Sequence, residues 1–293
     1  MDVIVADGLT KLYDGRVGVV DVSFSVRRGE VFGYLGPNGA GKTTTIRLML
    51  GFIKPTRGSI MVYGVDSRDD GGMARVKRVI GYVPEDFNFP RGVRGRDIVD
   101  FVARARGGAP RLKELLELFP LDLDKRVEHY SKGMKQVLAI ITAFMSDPEL
   151  LVLDEPTTGL DPLLRRRFLE LVRSEARSGK TVFLSSHVLD EVQKVADRVC
   201  IIKDGRIVAL ESLESLLEKS GKVIQAKLNS KIDVEELRGI PGVTRVYVEG
   251  DTVTIIARSG YNEIFKILAD HDIADIEVRS MTLEEVFIHF YRR

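Results

Sequence analysis

The chain has 293 residues, of which 44% are hydrophobic, and its 44 basic side chains nearly balance 43 acidic ones. This length allows one large hydrophobic core or two smaller ones, and the near-neutral charge predicts no bulk attraction to nucleic acid or anionic lipid. A single cysteine, Cys200, excludes a disulfide within the chain, and its apolar surroundings predict a buried strand residue. We find neither a signal-peptide pattern nor an apolar run of about 18 residues, so we expect a cytosolic protein that can still dock on a membrane partner.

The first 210 residues or so show two kinds of pattern. Between Asp2 and Arg28, alternation around Tyr13-Asp14-Gly15 predicts antiparallel strands joined by turns. After Glu30, short apolar runs alternate with longer segments of helical period, which indicates a parallel sheet covered by helices. These runs are Val31–Leu35, Val79–Val83, Leu150–Leu153 and Val182–Leu184. The period is helical from about Phe87 to Asp147, which predicts a helical subdomain inserted beside the sheet.

The character of the chain changes after the hairpin signal Asp204-Gly205, which closes a first domain over residues 1–211. A helical linker is predicted within residues 212–221. Residues 222–293 then follow a βαββαβ order, which indicates a small α+β, ferredoxin-like domain. Thr282 and Glu285 form a capping-box pattern that predicts the start of a last helix.

A glycine-rich segment follows the predicted strand Val31–Leu35 and leads into a helix predicted from Thr44 to Leu50. Its residues are Gly36, Pro37, Asn38, Gly39, Ala40, Gly41, Lys42, Thr43 and Thr44. Strand, loop and helix are the context that a phosphate-binding loop requires, because its backbone N–H groups and the helix N-terminus both face the phosphates. We expect Lys42 to bridge the β- and γ-phosphates of ATP and the Thr43 hydroxyl to bind Mg²⁺.

Two adjacent carboxylates, Asp154 and Glu155, end another apolar run, so we expect them at the carboxyl edge of the sheet beside the phosphate loop. There Asp154 would hold Mg²⁺, and Glu155 would orient the attacking water as a general base. Taken alone, two acidic residues after a strand are more often a turn with solvated charges, but the phosphate loop earlier in the chain favours the site. The fold predicted is therefore α/β, with a phosphate-loop ATPase core, an antiparallel β subdomain and the helical insertion.

Several short motifs make the prediction more specific. The segment Tyr130–Gln136 resembles the signature motif of ATP-binding cassette (ABC) proteins, and Thr158–Asp161 resembles their D-loop. Ser185-Ser186-His187 resembles the family's switch histidine, and Tyr13 its adenine-stacking aromatic residue. The whole-chain pattern resembles the ATPase subunits of bacterial and archaeal ABC-2-type exporters. This resemblance implies an ATPase that powers export through a separate integral membrane permease, from the cytoplasmic face of the membrane.

The resemblance also implies sites shared between two copies. Ser131 is predicted as the N-cap of a helix over Lys132–Met145, whose N-terminus can attract an anion. By family geometry, Ser131 and Gly133 contact the γ-phosphate held by a second subunit, whether identical or paired. His187 would donate to the γ-phosphate and contact Asp161 of the other copy. From the residues alone, an ordinary helix start, a surface histidine and a packing role for Tyr13 stay open.

Two departures from the family pattern stand out. Lys132 and Met134 occupy positions where the signature usually carries a glycine and a glutamine. Glu85 replaces the expected Q-loop glutamine, and either metal contact or a coupling role away from the ion would explain it.

Two other functions remain open on the sequence alone. One is a soluble cassette ATPase acting on ribosomes or DNA, against which the near-neutral charge argues. The other is a small-molecule kinase, which would leave Ser131, Asp161 and His187 without a purpose. For the C-terminal domain, dimer contact or bracing of the cassette competes with ligand sensing. The resemblance implies that the permease, and not this chain, determines the transported substrate.

Overall fold

The structure is a computed structural model that describes residues 1–13, 15–87, 89–230 and 232–291. The chain divides into two compact units, one over Met1–Glu211 and one from Ser212 onward. Asp14, in the turn predicted between the first two strands, lies outside the described residues. In the part of the chain that is described, no helix combines the length and the apolar character needed to cross a membrane.

The first unit alternates strands and helices along most of its length. Its strands are β1 (Asp2–Tyr13), β2 (Arg16–Arg27), β3 (Val31–Leu35), β4 (Arg57–Val62), β5 (Val65–Asp66), β6 (Ile80–Val83), β7 (Leu150–Asp154), β8 (Thr181–Ser186), β9 (Arg198–Lys203) and β10 (Arg206–Ser212). Its helices are α1 (Lys42–Met49), α2 (Asp70–Val76), α3 (Gly95–Arg106), α4 (Leu112–Leu118), α5 (Lys132–Phe144), α6 (Pro162–Arg177) and α7 (Leu189–Val195).

These strands form two sheets. The first has the order β2-β1-β4-β5 and is antiparallel, and the second has the order β10-β9-β3-β8-β7-β6. In the second sheet β9, β3, β8, β7 and β6 run parallel, as the apolar runs predicted. Because parallel strands end at one edge, the segments that follow β3, β6, β7 and β8 meet there, and these segments carry most of the predicted site residues.

Aromatic side chains join the two sheets. Phe24 of β2 stacks on Phe32 of β3 with ring centroids 5.5 Å apart, and Tyr34 lies 5.3 Å from Phe183 of β8. Large rings bury more apolar area per residue than other side chains, so this cluster is a major part of the core. The buried hydroxyl of Tyr34 also contacts that of Thr45 at 3.1 Å, which fixes α1 against β3. Cys200 is fully buried in β9, as predicted.

The predicted helical insertion contains α3, α4 and α5, but its first helix begins at Gly95 rather than near Phe87. The segment before it includes Pro90, which removes a backbone donor, and Gly92, whose φ is 81°. The signature helix begins where the sequence predicts, because the Ser131 hydroxyl caps it by accepting a bond from the Met134 N–H at 3.2 Å.

The second unit follows the predicted strand and helix order. Its elements are α8 (Leu213–Ser220), β11 (Lys222–Leu228), α9 (Val234–Arg238), β12 (Val243–Glu249), β13 (Thr252–Ala257), α10 (Tyr261–Ala269), β14 (Ile273–Ser280) and α11 (Leu283–Tyr291). Its sheet has the order β12-β13-β11-β14, and every neighbouring pair is antiparallel. The predicted linker helix is α8, which belongs to this unit.

The last helix of this unit starts with the predicted capping box. The Glu285 carboxylate accepts from the Thr282 N–H at 2.8 Å, and the Thr282 hydroxyl accepts from the Glu285 N–H at 3.2 Å. Arg279 forms two further hydrogen bonds to the same carboxylate.

Candidate active site

The phosphate loop turns tightly between β3 and α1. At Gly36 a β-carbon would lie 2.6 Å from the carbonyl oxygen of Ile202, and at Gly41, where φ is 108°, 2.6 Å from that of Gly18. Both positions therefore require glycine, because no side chain fits against the neighbouring backbone. The helix begins at Lys42, two residues earlier than predicted, so the Thr43 side chain lies in its first turn.

A cleft of about 270 Å³ lies against this loop. It is lined by Tyr13, Val17, Gly18, Asn38, Gly39, Gly41, Lys42, Thr43, Thr44 and Glu85. The structure thus brings the predicted adenine-contacting residue, most of the loop and the predicted metal-side carboxylate to one cavity. Tyr13 is 40% exposed, and the Lys11 ammonium lies 5.4 Å from its ring centroid.

Lys42 is held inside the site by two hydrogen bonds and one ion pair. Its ammonium donates to the carbonyl oxygens of Gly36 at 2.7 Å and Pro37 at 3.1 Å, and lies 3.1 Å from Oε1 of Glu155. The side chains of Lys42 and Glu155 are only 6% and 4% exposed. A pair this buried is weakly screened by solvent, so its two charges interact strongly.

Glu155 occupies a strained backbone conformation, with φ of 49°. Its N–H donates to the Ser185 carbonyl oxygen at 3.2 Å, and its Oε2 lies 2.7 Å from Nδ1 of His187. A residue other than glycine that is held at positive φ costs free energy, and such residues are typical of functional sites. The strain turns the carboxylate toward Lys42 and His187, so the predicted base and the predicted switch histidine are in direct contact.

Asp154 is completely buried at the end of β7. The Ser185 hydroxyl donates to its Oδ1 at 2.5 Å, while Oδ2 has no hydrogen-bond partner within the described residues. Burial raises the pKa of Asp154, the Ser185 hydrogen bond opposes that shift, and the nearby carboxylates Glu85 and Glu155 raise the pKa further. The Thr43 hydroxyl lies close enough to oppose the rise in the Asp154 pKa as well.

Glu85 lies beyond the end of β6, on the same side as Thr43. The Thr43 hydroxyl donates to Oε2 of Glu85 at 3.2 Å. The three predicted metal ligands thus lie in one part of the site: Thr43, Asp154 and Glu85.

The remaining predicted residues form a second group. At Gly133 a β-carbon would lie 2.7 Å from the carbonyl oxygen of Gly159, so the start of α5 packs directly on the D-loop segment. Asp161 caps α6 by accepting from the Leu164 N–H at 2.9 Å. Across the described residues, no hydrogen bond or ion pair joins Ser131, Gly133 or Asp161 to the phosphate loop or to Glu155.

Two residues with evident roles in this geometry were missed by sequence reasoning. Ser185 binds Asp154 because the two stand opposite each other in the β7–β8 register. Gln136, which is 4% exposed, donates to the carbonyl oxygen of Pro156 at 2.9 Å and so ties α5 to the segment after Glu155. Ser185 lies in the motif that contains His187, and Gln136 ends the signature segment. Their positions in these motifs are the sequence signal that could have identified them.

A glycine-rich loop between a parallel strand and a helix, with a carboxylate pair on a nearby strand, defines a phosphate-loop nucleotide hydrolase. The ABC transporter family matches this chain over residues 19–158. Nod factor export ATP-binding protein I of Mesorhizobium japonicum is 35% identical to it, over 98% of this chain and 86% of that relative. The chain therefore belongs to the ATP-binding cassette ATPases of the ABC transporter family.

Solved structures share the fold over most of this chain. The ATP-binding subunit of an ABC transporter matches with a TM-score of 0.68 and 32% identity, over 73% of this chain and 91% of that one. An ATP-binding cassette solved as a dimer in a post-hydrolysis state with ADP and Pi matches with a TM-score of 0.65, over 72% of this chain and 98% of that one. The second structure is only 24% identical, so this likeness concerns the fold alone.

Proposed function

We propose that this chain is the ATP-hydrolysing subunit of an exporter and powers transport through a separate integral membrane permease. It would work at the cytoplasmic face of the cell membrane. The family membership supports ATP hydrolysis, and the similarity to an export ATP-binding protein along nearly the whole chain supports export. We propose no transported substrate, because the permease determines it.

The observation that carries the mechanism is the division of the site into two groups. One group lies around the phosphate loop and consists of Lys42, Glu155 and His187. The other lies at the N-terminus of α5 and consists of Ser131 and Gly133, which form no hydrogen bond or ion pair with that loop among the described residues. A helix N-terminus binds an anion through its free N–H groups and its dipole. A head-to-tail dimer would bring this end of α5 to the γ-phosphate held by the partner subunit and so complete two equivalent sites.

The residues present fit a bound Mg²⁺. Oδ2 of Asp154 is buried without a hydrogen bond from any described residue, and Thr43 and Glu85 supply further oxygen ligands nearby. Oxygen ligands are those that Mg²⁺ prefers, and it commonly retains water and binds substrate phosphates in addition. When bound, Mg²⁺ would neutralise phosphate charge in the transition state. This arrangement favours the metal-contact interpretation of Glu85, since it already contacts Thr43.

In the proposed reaction, a water oxygen attacks the γ-phosphorus and the bond to the bridging oxygen of ADP breaks. Glu155 accepts the proton of that water, and its strained backbone and its contact with His187 keep the carboxylate in one orientation. Lys42 moves its charge from Glu155 to the β- and γ-phosphates, which frees the carboxylate to act as the base. Asp161 would contact His187 of the partner subunit, and Tyr13 would stack on adenine.

The dimer can be tested by gel filtration with ATP. Glu155→Gln removes the base but leaves the phosphate contacts, so we expect this variant to accumulate as a dimer when ATP is added. The double variant Lys42→Ala/Glu155→Gln is the control, because it also loses the phosphate-binding cation and should stay monomeric. A Glu155→Gln protein that stays monomeric with ATP and hydrolyses it at the parental rate would refute the shared site.

The coupling to a permease can be tested by capturing the tagged parent protein from native membranes and identifying what co-purifies. We expect one integral membrane protein to be enriched over a capture with the Lys42→Ala/Glu155→Gln variant in the presence of ATP. Repeated recovery of ribosomal or DNA-repair proteins, together with stimulation of ATP hydrolysis by RNA or DNA, would replace the exporter by the soluble cassette alternative. Phosphorylation of an added metabolite would instead support a kinase.

A further inference from the structure

The loop that follows the catalytic base is held firmly on one side. Residues 156–161, which we call the connecting loop, run from the residue after Glu155 to Asp161. The Pro156 carbonyl oxygen accepts a hydrogen bond from the buried Gln136 amide at 2.9 Å. Gly159 packs so closely against Gly133 that no β-carbon fits at Gly133. These contacts tie the connecting loop to the signature helix α5.

The other side of the connecting loop contacts the carboxylate of Glu191 in α7 and, through the Leu160 carbonyl oxygen, the Arg165 guanidinium at 3.5 Å. The Glu191 side chain is 6% exposed, and its Oε2 accepts the Thr157 hydroxyl at 2.6 Å. Its Oε1 lies 3.1 Å from Nε of Arg165 in α6. A buried carboxylate is costly unless it is paired: here Oε2 accepts a hydrogen bond from the connecting loop, whereas Oε1 has the charge of Arg165 nearby but no hydrogen bond from a described residue.

The position of Glu191 in the chain gives this contact a consequence for the site. Thr157 follows Glu155 by two residues, and Glu191 follows His187 by four residues and lies in the first turn of the helix after it. This hydrogen bond therefore joins the segment that carries the base to the segment that carries the histidine, in addition to the bonds that Glu155 itself makes with Ser185 and His187. It is the counterpart, outside the reacting centre, of the direct Glu155–His187 contact at 2.7 Å.

We infer that Glu191 is a positioning residue for ATP hydrolysis: through Thr157 it fixes the connecting loop, and so sets the orientation of Glu155 relative to His187 and the place of Asp161 at the partner subunit's site. The inference rests on the proposed function of these residues in hydrolysis. Among the described residues, Glu191 forms no hydrogen bond or ion pair with the phosphate loop, Glu155 or His187. Its effect should therefore be on the chemical step and not on ATP binding.

The experiment compares variants that differ by one functional group. Thr157→Val removes the hydroxyl at nearly constant volume, and Thr157→Ser keeps it. Glu191→Gln replaces the charged acceptor of Thr157 by a neutral amide, which accepts more weakly, and it also loses the charge that pairs with Arg165. The double variant Thr157→Val/Glu191→Gln completes a cycle. Thr142→Val is the matched control, since Thr142 is also a buried threonine but bonds only within its own helix. The measurements are kcat and KM for ATP, the dissociation constant of a fluorescent ATP analogue, and the melting temperature.

We expect Thr157→Val and Glu191→Gln each to lower kcat by about tenfold while KM and analogue affinity stay within about twofold of the parent. The double variant should be no slower than the slower single variant, because both changes weaken the same hydrogen bond between Thr157 and Glu191. Thr157→Ser and Thr142→Val should keep the parental kcat.

A parental kcat for Thr157→Val, fully additive effects in the double variant, or slow hydrolysis by Thr157→Ser would overturn the positioning role while leaving the proposed function intact. A loss of kcat that is matched by equal losses of analogue affinity and melting temperature would show a merely structural role. A parent protein that hydrolyses no ATP would refute the proposed function itself, and the positioning role with it.

Discussion

Replacing Glu155 by glutamine tests the electrostatics of the site as well as its chemistry. In the structure the Glu155 carboxylate is the charged partner of Lys42, and both side chains are almost fully buried. Glu155→Gln removes this negative charge at nearly constant volume. The Lys42 ammonium would keep only the carbonyl oxygens of Gly36 and Pro37 as acceptors.

The size of the effect follows from the burial of the pair. Removing one partner of a buried ion pair destabilises a protein by about 3–5 kcal/mol. The two carbonyl acceptors lessen this loss, so we take about 2 kcal/mol, which is the scale of one charged hydrogen bond. For a unit of this size, that corresponds to a decrease of about 4–8 °C in melting temperature without nucleotide. The phosphates of ATP would replace the lost negative charge, so ATP should bind up to about 30-fold more tightly than to the parent.

The assay is thermal unfolding with and without ATP and Mg²⁺, together with titration of a fluorescent ATP analogue. We expect the variant to melt lower than the parent without ATP, to gain more on ATP addition, and to hydrolyse ATP at least about a hundredfold more slowly because the general base is gone. Glu170→Gln is the control, since it neutralises a glutamate in an exposed ion pair and should change neither quantity. Equal melting temperatures and equal affinities for Glu155→Gln and the parent would refute the reasoning.

Three further predictions concern other parts of the chain. Gly133→Ala should lower kcat by about tenfold or more without weakening ATP binding, because the added β-carbon would meet a backbone carbonyl oxygen. Gly71→Ala is the control and should keep the parental kcat, since the nearest atom to its added β-carbon is 3.6 Å away. Arg279 lowers the pKa of Glu285, so this carboxylate stabilises the second unit at neutral pH and loses that effect as the pH falls through its folded pKa. Glu285→Ala should therefore lower the stability of the protein by about 1 kcal/mol at pH 7. The difference in melting temperature between variant and parent should disappear in acid. The Cys200 thiol is fully buried and burial raises its pKa, so a thiol reagent should label it only in denaturant; rapid labelling of the folded protein would contradict the placement of β9.

Local signals in the sequence account for much of the fold and part of the site. The phosphate loop, the Ser131 cap and the capping box at Thr282 each depend on residues close together in the chain, and the structure has all three. The acidic pair was placed correctly because parallel strands end at a common edge. The Asp204-Gly205 hairpin is present between β9 and β10, with both residues at positive φ as a tight turn requires.

Contacts between distant segments were not predictable in the same way. Nothing in the spacing indicates that Lys42 pairs with Glu155, or that Glu191 accepts from Thr157, because these contacts depend on how loops at the sheet edge are packed. The break in the predicted helical insertion near Pro90 illustrates a different limit. There the apolar pattern suggested a helix, but the backbone requirements of proline and glycine prevented one from forming.

The central place of β3 in its sheet affects how the protein acquires its activity during synthesis. Although β3 is made early, both of its neighbours, β8 and β9, come from the last part of the first unit. A ribosome-bound chain that ends before Thr181 therefore carries the phosphate loop on a strand whose sheet partners have not yet been translated. Pairing over such long sequence separations is slow to form. Nucleotide binding should consequently appear late in translation, after β8 and β9 have left the ribosome, which protects incomplete chains from trapping ATP.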